Sequence, residues 1–183
     1  MNKMFRYDYY RMTGKEYKLC FKSIIEILFK HNLKYMWVIR KLQAPSCKLT
    51  KKVFEVYRYC LGKKYGIDFH ADTSVGKGFA MFHAYCITIN PRCVIGNNVN
   101  IAKGATLGAS MRGKYSGCPT IGNKVYIGIN STIVGNVKIG NNVIIAPNAY
   151  VNRDIPDNSV AVGNPAVVYP RDNATDGYIN FTV

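Results

Sequence analysis

From Phe69 to Val151 the chain places an apolar residue at every sixth position, and that period constrains its fold more than anything else in the sequence. The series runs Phe69, Val75, Met81, then Ile89, Ile95, Ile101, Leu107, then Ile121, Ile127, Ile133, Ile139, Ile145 and Val151, thirteen positions without an exception. A small residue often follows: Gly76, Gly96, Ala102, Gly108, Gly122, Gly128, Gly140, Ala146. The phrase Ile-Gly-Asn-Asn-Val stands at 95–99 and again at 139–143. Six-residue repeats with turn-forming Gly and Asn mark a solenoid of stacked β coils. Three hexads make a coil of roughly 18 residues, and successive coils pair as parallel strands about 4.8 Å apart. The inward Ile, Val and Leu then form one apolar column, with Gly and Asn at the corners. A β-sandwich would instead turn every 8–12 residues or so, without this spacing.

The predicted fold class is therefore mainly β: a left-handed parallel β-helix of hexapeptide repeats with a short N-terminal α-helical segment and an extended loop. The period itself sets no hand; prisms of this kind run against the usual right-handed crossover. Before Gly66 the period is helical, with apolar residues at Tyr17, Cys20, Phe21, Ile24, Ile25 and Leu28, and again at Val53, Val56, Tyr57, Cys60 and Leu61. The pattern predicts helices over 14–31, 33–43 and 49–63, with Gly62 and Gly66 closing the last. Three regions follow: a basic helical segment at 1–66, a β-helix domain at 67–168 and a tail at 169–183.

Charge is uneven. Lys and Arg number 25 against 10 Asp and Glu, and residues 1–66 alone carry 16 against four, a balance of +12 that leaves only +3 for the rest. No nucleic-acid-binding motif accompanies the basic stretch, so no nucleic-acid partner is expected. The basic helices suit either peripheral contact with anionic membrane or solubility and packing. The longest apolar run, Ile24–Phe29, falls far short of the roughly 18 residues of a membrane span. The first residues, Met-Asn-Lys-Met-Phe-Arg, lack the apolar core of a secretory signal. A cytoplasmic location is the expectation, with the six cysteines as reduced, small buried hydrophobes.

Two interruptions break the period. Met81 to Ile89 spans eight positions and Leu107 to Ile121 spans fourteen, so a long excursion leaves the prism around Ala109–Thr120, carrying Arg112, Lys114 and Tyr115. Insertions in solenoids commonly build the binding face. Of the three histidines, His31 reads as a solvated surface residue, while His70 and His83 lie in the first coil. His83 adjoins the first insertion and is the candidate general base. Asp68, fifteen residues earlier, falls almost one coil back, where it would orient the imidazole. A structural His83 fits composition equally well. With two prism histidines and no His-rich insertion, no metal is expected.

The stretch from Tyr65 to Pro165 resembles the hexapeptide acyltransferase superfamily in its serine acetyltransferase-like branch. The resemblance rests on Ile67-Asp-Phe-His-Ala-Asp-Thr-Ser-Val-Gly-Lys-Gly78, His83, Val94-Ile-Gly-Asn-Asn-Val99, Gly104-Ala-Thr-Leu-Gly108, Pro119-Thr-Ile-Gly-Asn-Lys-Val125, Asp154-Ile-Pro-Asp-Asn158 and Val162-Gly-Asn-Pro-Ala166. It implies a homotrimer with sites between neighbouring prisms, acetyl-CoA as co-substrate, His83 as base with Asp68 behind it, and a backbone N–H near Gly108 for the oxyanion. It further implies pantetheine along Gly128, Ala146 and Pro147, with Arg153 near the nucleotide phosphates.

Two departures shape the expected acceptor. Serine acetyltransferases carry an Asp before the catalytic His and an Arg-His pair in the long loop; this chain has Phe82 and Gly117-Cys118 there. The segment before the prism is also much shorter than theirs. An aromatic face suits a sugar ring, so the expectation is O-acetylation of a sugar hydroxyl in capsule or exopolysaccharide synthesis, on a free, nucleotide-linked, lipid-linked or polymeric saccharide. Phe82, Arg112, Lys114, Tyr115 and Cys118 would line the acceptor site. The alternatives are serine O-acetylation and N-acetylation of an amino-sugar nucleotide.

Overall fold

The computed structural model describes residues 2–183. Four helices precede the prism: α1 (Lys3–Thr13), α2 (Phe21–Phe29), α3 (His31–Gln43) and α4 (Lys48–Tyr65). The helix expected over 14–31 is thus shorter, and α1 was not anticipated. Its buried apolar side chains are only Phe5 and Tyr9, too few to stand out among charges. Asn2 caps it, accepting from the Met4 N–H at 2.9 Å, and Gly14 ends it with φ +69°. Gly66 closes α4 in the left-handed conformation, its N–H on the Gly62 carbonyl, so Gly62 belongs to the helix interior.

The prism has three faces of parallel strands. One joins β1 (Asp68–Phe69), β4 (Thr88–Ile89), β7 (Thr106–Gly108), β10 (Thr132–Val134) and β13 (Tyr150–Val151). The second joins β2 (Ser74–Val75), β5 (Val94–Ile95), β8 (Thr120–Ile121) and β11 (Lys138–Ile139). The third joins β3 (Ala80–Phe82), β6 (Asn100–Ala102), β9 (Val125–Ile127), β12 (Val143–Ile145), β14 (Ser159–Val162) and β15 (Val167–Pro170), the last antiparallel. β15 runs across the tail boundary expected at 168, and the tail then folds back, Val183 N–H donating to Asn98 at 2.9 Å.

All thirteen hexad positions point inward, none more than 9% exposed. The insertions bulge without shifting the register: Ile89 pairs Leu107 and Ile133 pairs Val151, while Phe69 pairs Ile89 across the first insertion and Leu107 pairs Ile133 across the second. At one corner an amide ladder climbs the stack. Lys77 N–H donates to Asn97 (3.0 Å), Asn97 to Asn123 (2.8 Å), Asn123 to Asn141 (2.9 Å) and Asn141 to Asp157 (2.6 Å). Gly96 follows its isoleucine because a Cβ there would lie 2.6 Å from the Gly122 carbonyl oxygen.

A solenoid end leaves backbone groups without a partner strand. The helices cover this one. Arg40, 2% exposed, pairs with buried Asp8 at 2.7 Å and donates to the carbonyls of Val75 (2.9 Å) and Gly76 (2.5 Å). Gln43 donates to Ala71 and Thr73, both at 3.1 Å, and the Tyr35 hydroxyl to Phe69 at 3.0 Å. No helix among the described residues is long and apolar enough to cross a membrane.

Candidate active site

The corner between the third face and the first carries one group of the expected residues. Phe82 ends β3 half-buried, and His83 opens the connection to β4 exposed, with φ +48°. Phe82 is in register with Ala102 above it, Ile101 with Ile127, and Ile127 with Ile145. Above Phe82, next to His83, the corner therefore presents Ala102, Gly128 and Ala146. Gly128 is buried, donates to the Ile145 carbonyl at 2.8 Å, and lies so close to Ala146 and Pro147 that a Cβ would meet Pro147 N at 2.7 Å. The result is a strip of small residues rising from Phe82, one position before His83.

Asp68 starts β1 at the foot of this corner, its N–H on the Ile87 carbonyl at 2.8 Å. Its exposed carboxylate meets His70 Nε2 at 3.3 Å, not His83, so among the described residues the carboxylate–imidazole contact is Asp68 with His70.

The second group stands at the opposite edge of the first face. Gly108 ends β7, and the excursion after it folds as a small hairpin closed by reciprocal Ser110–Gly117 backbone hydrogen bonds at 2.9 Å. Arg112 and Lys114 are exposed; Tyr115 is half-buried, with the Lys114 ammonium 5.5 Å above its ring. Cys118 faces Asn90 Oδ1 at 3.3 Å and adjoins Cys93, whose thiol burial pushes up to about 12. Arg153 is exposed near the same edge. The chain therefore divides the expected site between two corners flanking one sheet. Within a single copy they do not converge.

Two readings need correction. Four of the cysteines (Cys20, Cys47, Cys60, Cys86) are exposed and only Cys93 is buried, because those four lie in the helical segment and the first insertion, outside the repeats. His31 is not solvated. It packs between Tyr65 and Tyr85, ring centroids 4.8 and 4.6 Å away, and its Nε2 is buried without a partner. Burial is the main influence on this imidazole and holds its pKa below the ordinary value, against the opposing pull of the Ala84 backbone; nearby His83 lowers it slightly. The neighbouring Asn32 donates to the Met81 carbonyl at 3.0 Å, so the start of α3 braces the His83 connection. Sequence spacing carries no signal for either contact.

The family model "Bacterial transferase hexapeptide (six repeats)" matches residues 118–153. With the prism and its hexads, this gives the chain the hexapeptide-repeat solenoid that the family model describes. The relatives that share it here are serine acetyltransferases. Serine acetyltransferase 4 of Arabidopsis thaliana is 37% identical over 127 residues, 69% of this chain and 33% of the relative. The Staphylococcus aureus serine acetyltransferase (strain Mu50) is 34% identical over 61% of this chain and 53% of its own length. The serine complex of the Neisseria gonorrhoeae enzyme superposes with TM-score 0.74 at 27% identity, over 90% of this chain and 67% of that one. The chain spans a third to about half the length of these curated relatives. The expectation of a sugar acceptor is overturned by these relatives: they are serine acetyltransferases, not capsule enzymes, and they favour the serine alternative. An aromatic residue before the histidine was too small a signal to set the acceptor.

Proposed function

We propose that the chain is an acetyl-CoA-dependent serine O-acetyltransferase working as a homotrimer. The observation that carries this reading is the corner where His83 adjoins the foot of the Ala102–Gly128–Ala146 strip, which rises from Phe82. A strip of residues no larger than alanine leaves room for an extended thioester arm delivered to a base. The serine acetyltransferases among its relatives supply the acceptor.

In this mechanism His83 takes the proton from the acceptor hydroxyl as its oxygen attacks the thioester carbonyl, then returns the proton to the departing thiolate. Asp68 orients His83, which requires its carboxylate to turn from His70; the side chain is 68% exposed, so nothing packed resists the turn. The Gly108 N–H serves the oxyanion. Gly128, Ala146 and Pro147 receive the arm and Arg153 the phosphates. The split between two corners of the first face supports the trimer, in which one copy's His83 corner meets a neighbour's Gly108 and excursion, with Arg112, Lys114, Tyr115 and Cys118 contributed across the boundary.

We also propose that α2 rests on anionic membrane: Phe21 and Phe29 are 79% and 83% exposed beside Lys18, Lys22 and Lys30. An anionic surface is the occupant that the +12 segment favours, since a second copy would bring like charge against like.

Thiol release with acetyl-CoA and L-serine tests the activity, with mass spectrometry identifying an acetyl ester. His83→Ala is expected to lower kcat/KM by about 10²–10⁴-fold. Absence of thiol release with serine in the unsubstituted protein would refute the reading.

A further inference from the structure

The candidate base leaves β3 in a backbone conformation that residues with a Cβ seldom adopt: His83 has φ +48°, and Cys86, three positions on, has φ +53°. Such residues persist only where their surroundings over-determine them. Part of that restraint is backbone. Tyr85 N–H donates to the His83 carbonyl at 2.7 Å, and Cys86 N–H to the Tyr65 carbonyl, at the end of α4, at 3.0 Å. One coil up, Gly104 N–H donates to the Tyr85 carbonyl at 2.9 Å.

Upstream of His83 the restraint is a side chain. β3 is an edge strand of the third face, so its outward carbonyls have no neighbouring strand to accept from. Asn32, at the start of α3, takes that place: its Nδ2 donates to the Met81 carbonyl at 3.0 Å, two positions before the imidazole. Beside it His31 packs against Tyr65 and Tyr85 and meets the Ala84 backbone, so one turn of α3 restrains the connection on both sides of His83. Gln43, at the far end of α3, offers the contrast. Its amide donates to the carbonyls of Ala71 and Thr73, both at 3.1 Å, on a part of the first coil that does not lead into His83.

Resting on the reading of His83 as the base, we propose that Asn32 is a positioning residue for it. By fixing the Met81 carbonyl, the amide sets the direction in which Phe82 and His83 leave the strand, and so where the imidazole stands against the acceptor hydroxyl. Asn32 acts through the backbone alone and touches neither substrate. A misplacement of about 1 Å at a reacting centre can cost about 10²-fold in rate.

The test is steady-state kinetics of the full chain with acetyl-CoA and L-serine, beside urea unfolding. Asn32→Leu and the isosteric Asn32→Asp both remove the donor. Each should lower kcat by about 10–100-fold and leave KM for both substrates within about twofold. Asn32→Gln keeps an amide and should recover part of the loss. Asn32→Asp preserves the shape of the side chain, so it keeps the fold even if Asn32→Leu does not. Gln43→Met removes two bonds to the same coil and should lower the urea midpoint while leaving kcat within about twofold. An unchanged kcat in the Asn32 variants, a loss confined to KM, or an equal fall of kcat in Gln43→Met overturns the positioning role and leaves His83 as the base. Parental activity in His83→Ala, or no thiol release with serine from the unsubstituted protein, overturns both.

Discussion

The prism and the helical segment hold their residues in opposite ways. Along the prism, one apolar column and coil-to-coil hydrogen bonds repeat with little change, and charge is nearly balanced. In the segment, long polar side chains reach out and bond to another element: Arg40, Gln43, Tyr35 and Arg11 all donate to backbone or amide oxygens of the first two coils. A repeat supplies its own neighbours everywhere except at its ends. The basic helical segment is the stop that the repeat cannot provide for itself.

That contrast can be broken most forcefully at Arg40. Removing one partner of a buried, hydrogen-bonded ion pair strands the other charge and costs about 3–5 kcal/mol. Arg40→Ala leaves Asp8 alone at 0% exposure and frees two carbonyls of the first coil. In urea unfolding it should match a cavity in the middle of the column, where Ile133→Ala costs about 2–5 kcal/mol. A loss below about 1 kcal/mol for Arg40→Ala would make the segment a passenger after all.

The same contrast explains what could be read from the chain unaided. The thirteen hexad positions and both insertions were legible because each coil tests the same six-residue rule against its neighbours. Gly66 as a helix end was legible for a local reason too: a left-handed residue is needed after the last turn. The cap was not. Asp8 and Arg40 lie 32 positions apart, and nothing in either neighbourhood marks them as partners. His31 was misread for the same reason, since its aromatic walls, Tyr65 and Tyr85, come from distant parts of the chain. In the candidate site the spacing put Asp68 beside His83, one coil back, whereas the carboxylate meets His70, two positions away in the chain, a local contact that the coil period does not describe.

A smaller effect tests whether the segment's charge serves a surface beyond the prism. Each well-placed Lys near an anionic bilayer contributes about 1 kcal/mol. The protein should co-sediment with vesicles containing phosphatidylserine and not with phosphatidylcholine alone. Lys18→Glu, Lys22→Glu and Lys30→Glu should each reduce that binding by roughly fivefold or more. Salt should reduce it as well, because such attraction is screened within about a Debye length. Equal binding to neutral vesicles, or no binding to either, would dismiss membrane contact. Self-association abolished by Phe29→Ser would instead assign the face to a second copy.

The smallest expected effect concerns the place where the two regions touch at the site. His31 is held neutral by burial, so its folded pKa lies below the ordinary value of about 6.5. Above that value both folded and unfolded chains carry the imidazole uncharged, and it adds no pH dependence. As pH falls through 6.5 the unfolded chain takes up the proton first, so stability declines, and the decline levels off once the folded protein protonates too. His31→Phe keeps the ring between Tyr65 and Tyr85 and removes the proton site. It should flatten the fall in urea midpoint between pH 7 and pH 5 while leaving the pH 8 midpoint within a few tenths of a kcal/mol in equivalent stability. A variant with the parent's acid sensitivity would mean that the imidazole is already solvated. In that case the start of α3 braces the His83 connection through Asn32 alone.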